Sequence, residues 1–124
     1  MSDQGFMKQG KKKNNFPVET HFLFLEDNKW VCWLCGMNHA NCGHHIFGRG
    51  KKEGCEKSVF NYAPLNNHKC HLPRHGFLMT TEGKKMMFQN TLNFLSEIGY
   101  TLKPIDNEFL EKYGVEIYKL GIKI

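Results

Sequence analysis

Cys42-Gly43-His44-His45-Ile46-Phe47-Gly48-Arg49-Gly50 is the stretch on which the fold of this chain turns. It places two adjacent histidines in a segment that reads as a strand over residues 43–48, ending in a glycine turn. Side chains alternate along an extended backbone, so His44 and His45 are expected to face opposite ways and do different work. Further on come Asn61-Tyr62-Ala63-Pro64-Leu65 and then Cys70-His71-Leu72-Pro73-Arg74-His75. The first reads as a second extended piece returning towards the histidine pair. In the second, Pro73 can sit in the first turn of a helix, where its missing N–H is not needed. That predicts His71 near the helix start and His75 one turn later on the same face.

Cysteine and histidine are distributed unevenly. The cysteines are at 32, 35, 42, 55 and 70, and every histidine except His21 falls between them or just beyond, up to His75. Surface histidines would scatter, whereas soft thiols gathered with imidazoles are what a divalent metal draws on. A disulfide framework is the weaker reading for an odd cysteine count with no export signal. Cys32-Trp33-Leu34-Cys35-Gly36 has the form of a zinc knuckle, with two thiolates converging and a glycine allowing the bent backbone. A thioredoxin-like redox pair would need a helix starting at the second cysteine, and Gly36-Met37-Asn38 starts one poorly.

Composition bounds the rest. The chain has 124 residues, one domain's worth, and 40% of them are hydrophobic, enough for a core. Lys and Arg outnumber Asp and Glu by 17 to 12, a net charge of +5, which favours a polyanionic partner over an acidic one. No stretch approaches the roughly 18 apolar residues of a membrane span, and the start lacks the apolar centre of a signal peptide. A soluble, cytoplasmic, non-secreted protein is expected. Residues 1–17, with Lys8, Lys11, Lys12 and Lys13, read as a disordered basic arm, either a solubilising tail or a contact to phosphates. Residues 18–124 are expected to form one domain.

The remaining elements are read from periodicity. Residues 20–25 read as a short strand that forms a hairpin with an extended piece at 29–33 leading into the knuckle. A basic loop spans 49–57. Residues 82–98 read as a helix with Thr81 as N-cap, Gly99 as stop and an apolar stripe of Phe88, Leu92 and Leu95 widened by Met87, Phe94 and Ile98. A shorter helix is expected over 106–113, capped by Asp106 and stopped by Gly114, and an edge strand over 115–120. The class is α+β.

In this order, the His-His pair, the asparagine and the two later histidines resemble the HNH endonuclease family. The resemblance rests on Cys42–Gly50, on Asn61–Leu65, on Cys70-His71 and on the preceding Cys32-x-x-Cys35, and it covers residues 30–78. It implies a ββα-metal core, or His-Me finger, over about 43–78, with a zinc-knuckle hairpin before it; the helical C-terminal part expected at 79–124 lies outside the resemblance. Several members of this size look phage-encoded, which suggests a phage or its prokaryotic host as the source. The resemblance implies His44, His71 and His75 as ligands of one divalent ion such as Mg2+ or Mn2+, and His45 as the general base that activates water. Imidazole titrates near neutrality and suits that task. Asn61 would orient His45 through its side-chain amide, while Arg49, Lys51 and Lys52 would contact the DNA phosphates.

The chain departs from the pattern at one place. Members commonly bring a second Cys-x-x-Cys before the helix histidine, and here Asn67 stands where its first cysteine would be. Cys32, Cys35 and Cys70 then need a fourth zinc ligand, for which His68, His39, Cys42 and Cys55 are all candidates. The expected function is metal-dependent hydrolysis of phosphodiester bonds in DNA, and a protein partner could supply specificity. The alternative is a non-catalytic zinc-stapled nucleic-acid-binding module.

Overall fold

The structure, a computed structural model, describes residues 16–27, 30–37, 39–48 and 55–122, the side chains of 26 and 27 excepted. The arm up to residue 15 and residues 49–54 of the basic loop, with Arg49, Lys51 and Lys52, lie outside the described residues, and Cys55–Lys57 form a short 3-10 helical turn. The fold is α+β, with a two-stranded antiparallel sheet and several helices. Helix α1 spans Val18–Asp27, strand β1 Cys42–His45 and strand β2 Tyr62–Leu65. A π-helical turn, Asn67–His71, leads to the short α2, His75–Leu78. Helices α3, Thr81–Glu97, α4, Pro104–Lys112, and α5, Gly114–Lys119, complete the chain. The expected strand–strand–helix order over the middle of the chain is present.

The sheet register pairs Cys42 with Leu65, Gly43 with Pro64, His44 with Ala63 and His45 with Tyr62. Pro64 has no N–H to give, and each strand of a two-stranded sheet has a free side on which that is tolerated. Its carbonyl is not idle, because it accepts the Trp33 N–H at 2.9 Å. Every residue of β2 is buried, since α1 and α3 both pack on it.

Residues 20–25 are helical, not the expected strand, so no hairpin precedes the knuckle. Thr20, His21, Phe24 and Leu25 are buried while Phe22 is exposed, a helical spacing that the short apolar run hid. Packing decides such a segment. Phe24 stacks on Tyr62 at 4.4 Å and meets Phe94 of α3 at 5.0 Å, and burying one such ring is worth about 1.5–3 kcal/mol. Phe16, assigned to the arm by the sequence, is buried beside α1.

Helix α3 lies within a residue of its expected limits, with Thr80 rather than Thr81 as cap; its Oγ1 accepts the Gly83 N–H at 3.0 Å. Met87, Phe88, Phe94 and Leu95 are buried as expected, but Ile98 is exposed and Thr91 joins the buried face. The Thr91 hydroxyl donates to the Tyr62 carbonyl at 2.6 Å and accepts from Trp33 Nε1 at 3.1 Å, so a polar group is satisfied inside the core. Helix α4 begins at Pro104, two residues before its expected start, which puts Asp106 in the first turn rather than at the cap. Asp106 is fully buried and accepts from the Lys103 N–H, the Ser58 hydroxyl and the Tyr100 hydroxyl, tying α4 to the turn before β2. The expected edge strand at 115–120 is helix α5, and Gly114 opens it instead of stopping α4. Tyr113, Ile117 and Leu120 are buried at helical spacing.

Helix α3 carries α2 at its N-terminal end. A Cβ on Gly83 would collide with the Phe77 carbonyl oxygen, which belongs to the backbone of α2 and cannot swing away. Alanine is the better helix former by about 1 kcal/mol. Gly83→Ala should nevertheless destabilise the protein by about 1–3 kcal/mol, the usual cost of overpacking. Urea unfolding checks this, and an unchanged or raised midpoint would show that the α2–α3 contact yields.

Candidate metal centres

The first centre is built on the knuckle. Gly36, at φ +78°, turns the chain after Cys35, and its N–H donates to the Cys32 carbonyl at 2.9 Å. Cys32, Cys35, His39 and Cys70 each bring one ligand atom within 4.8 Å of the others. His39 is therefore the fourth member, with Nε2 at 2.9 Å from Cys35 Sγ. Of the other candidates, Cys42, Cys55 and His68 are outside the group. His39 follows Cys35 by four residues, a spacing that a sequence reading could have weighed more heavily. Its carbonyl accepts the Asn66 side-chain N–H at 2.7 Å, which holds the segment against the start of the π-helical turn.

The donor chemistry suits a zinc ion. Burial opposes ionisation of Cys32, but backbone N–H groups of Cys35, Asn66 and Leu34 and the Cys70 thiol outweigh it and lower its pKa. Cys70 goes the other way, pushed up to about 12 by burial and by its cysteine neighbours. Thiolates crowded together raise one another's pKa, and a divalent cation relieves that repulsion.

The second centre gathers His44, His71 and His75, whose ligand atoms also lie within 4.8 Å of one another. His44 Nδ1 and His71 Nε2 are 3.2 Å apart. Two nitrogens that share one ion at about 2.0–2.1 Å have a separation of this order. His44 is buried, and its pKa is held down at about 3, first by burial and then by the charges of His71, His75, His45 and Lys84. Its ring is therefore neutral at pH 7, with a lone pair to give. Its Nε2 is buried with no hydrogen-bond partner, which a charged ring would not tolerate. Asn67 has a role here. Its Oδ1 lies 3.0 Å from His71 Nδ1, so the ring donates there and keeps Nε2 for the cluster. The Asn67 N–H is itself held by Asn41 Oδ1 at 2.8 Å. No carboxylate belongs to this group among the described residues.

His71 closes the π-helical turn rather than opening a helix, and Pro73 lies in the turn between it and α2. The Leu72 N–H reaches back to the Asn67 carbonyl. Proline has no N–H to continue an α-helical ladder, and its ring crowds the carbonyl four residues earlier, so the turn widens. His75, on α2, still comes back to the cluster.

The His44, His71 and His75 rings border an open cleft of about 380 Å³, which Gly43, His45, Gly48 and Met79 also line. The two histidines of β1 do different things, as their alternation predicts. His44 meets His71 and His75, while His45 turns to the other face, where its ring stacks on Phe16 at 4.1 Å. Asn61 does not orient His45. Its Oδ1 accepts the Phe47 N–H at 2.8 Å, and its Nδ2 donates to the carbonyls of Gly48 and Glu56. Its amide is spent on the backbone that follows β1. No described helix is long and apolar enough to cross a membrane. No protein-family model matches the chain, and comparison with curated proteins and with solved structures returns no match.

Two outcomes follow. Loaded with zinc, His39→Ala should give up the ion to a chelator more readily than the zinc-loaded wild-type protein, with the loss read by elemental analysis; equal retention would remove His39 from the ligand set. His21 is pushed down from 6.5 to about 4 by burial. The unfolded chain takes up a proton there below about 6.5 and the folded protein does not. Stability is therefore present above pH 6.5 and lost as the pH falls towards 4. Urea midpoints across that range should fall with pH, and more gently in His21→Asn.

Proposed function

We propose that this chain is a metal-dependent endonuclease of the HNH type that hydrolyses phosphodiester bonds in DNA. The observation that carries the reading is the position of His45. It lines the same cleft as three converging imidazoles, yet it stands on the opposite face of β1 and outside their group. A zinc module built only for stability needs the ligands and has no use for a further imidazole on the same opening. His45 takes the proton from the attacking water, the task of a general base. His44, His71 and His75 hold the ion, and the cleft leaves room beside them for a phosphate. A divalent ion bound there supplies Lewis-acid stabilisation of the phosphate and of the departing oxygen.

The all-imidazole donor set bears on which ion that is. Magnesium and manganese prefer oxygen ligands, whereas imidazole suits zinc, nickel and similar ions. A borderline transition ion therefore suits the catalytic centre better than Mg2+ or Mn2+, and Zn2+ suits the Cys32, Cys35, His39 and Cys70 site. DNA as the substrate is supported by the net charge of +5 and by Lys84, whose charge reaches His44. Arg49, which directly follows the cleft residue Gly48, and Lys51 and Lys52 are the further phosphate contacts of this reading.

Plasmid cleavage with magnesium, manganese, nickel or zinc, with and without a chelator, tests the proposal. His45→Ala should keep metal and DNA affinity and lose cleavage by about 10²–10⁴-fold, the scale of a lost acid–base group. His71→Ala and His75→Ala should lose metal affinity, and excess metal should partly restore their activity by mass action. Should His45→Ala cleave at the wild-type rate, the nucleic-acid-binding module takes the place of the nuclease.

A further inference from the structure

A general base works only if its ring presents a nitrogen to the water in a fixed direction, and the residue that the sequence points to for this, Asn61, is committed elsewhere. Its oxygen and both of its N–H groups bind the backbone of Phe47, Gly48 and Glu56. Phe16 lies against one face of the His45 ring. The two rings are nearly parallel, 18° apart, with centroids at 4.1 Å, and both residues are buried.

Phe16 is itself held from several sides. Tyr62, the register partner of His45 on β2, meets it edge-on at 4.7 Å, and His21 of α1 meets it edge-on at 6.2 Å. His21 and Tyr62 are joined by a 2.9 Å hydrogen bond between Nδ1 and the phenol oxygen. Tyr62 stacks in turn on Phe24. The Tyr62 ring also occupies the space that a Cβ on Gly43 would take, so it lies flush against β1. The Pro17 carbonyl accepts the Thr20 N–H at 3.0 Å, which anchors the Phe16 segment to the first turn of α1. The Phe16 ring is therefore a fixed plane, and turning the imidazole out of parallel would break the stack.

We infer that Phe16 is a positioning residue for His45: its ring face sets the plane of the imidazole and so the direction in which the base meets the attacking water. This rests on the nuclease reading above and adds to it a residue outside the His-Asn-His pattern. Phe16 touches neither metal nor substrate in this account; it acts through His45 alone.

Steady-state cleavage by Phe16→Leu and Phe16→Tyr tests it. Leucine fills the apolar space without a flat face, and tyrosine keeps the face. Phe16→Leu should lose about 10- to 100-fold in kcat, the scale of a small misplacement at a reacting centre. Its KM for DNA and metal content should stay near those of the wild-type protein, its thermal midpoint should fall by a few degrees with the lost ring packing while it stays folded at the assay temperature, and Phe16→Tyr should restore kcat. A Phe16→Leu protein with wild-type kcat, or a Phe16→Tyr protein as slow as Phe16→Leu, overturns the inference. NMR of the wild-type protein decides the stacking without any variant or any cleavage. The His45 ring protons should be displaced upfield and show cross-relaxation to the Phe16 ring, and their absence overturns the inference as well. Failure of the wild-type protein to cleave DNA with any metal would instead sink the nuclease reading, leaving the NMR result to decide the stack.

Discussion

Cys70 and His71 are neighbours in the chain, yet they belong to two different ligand groups, and the turn that carries them governs the rest of the site. Asn66 begins that turn: its side chain accepts the Lys69 N–H, and its carbonyl takes the N–H groups of both Cys70 and His71. Pro73 prevents the turn from continuing as a regular α-helix. The widened turn sends the Cys70 thiol to the knuckle and the His71 ring to β1. A change in its backbone would therefore disturb both centres together, and each centre helps to hold the turn for the other.

Charge is managed by burial at both centres. His44 is kept neutral because its surroundings cannot support a cation, and neutrality is what frees its lone pair. At the knuckle, Cys32 is brought towards the thiolate form by backbone N–H groups while Cys70 resists ionisation. Cys42, on the same face of β1 as His44, is pushed up to about 12 by burial and by the charges of Cys32 and Cys70. It stays a thiol, 3.6 Å from His71 Nδ1, and packs rather than ligates.

Asparagines do much of the orienting, though not where the sequence pattern places them. Asn67 sets the ring of His71, Asn66 joins the His39 segment to the turn, and Asn61 shapes the backbone between β1 and β2. The imidazole that the proposed reaction uses as base stacks on Phe16, an aromatic neighbour from near the start of the chain. Burial of Phe16, His21 and Phe24 around Tyr62 thus serves the core and the cleft at once.

The α+β class, the alternation of His44 and His45, the two strands and the long helix α3 were all legible in the sequence, because they depend on local periodicity and on residue types with strong backbone preferences. So were six of the seven metal-group residues, all but His39, since Cys and His cluster for few other reasons. The helices at 18–27 and 114–119 were not, because short apolar runs suit either period, and only the partner surface decides between them. His39 as the fourth knuckle residue, the true partners of Asn61 and the stack of Phe16 on His45 were decided by tertiary structure alone. The Phe16 stack joins residues from separate segments, and for His39 and Asn61 the sequence offers several chemically adequate partners, among which only the folded chain selects.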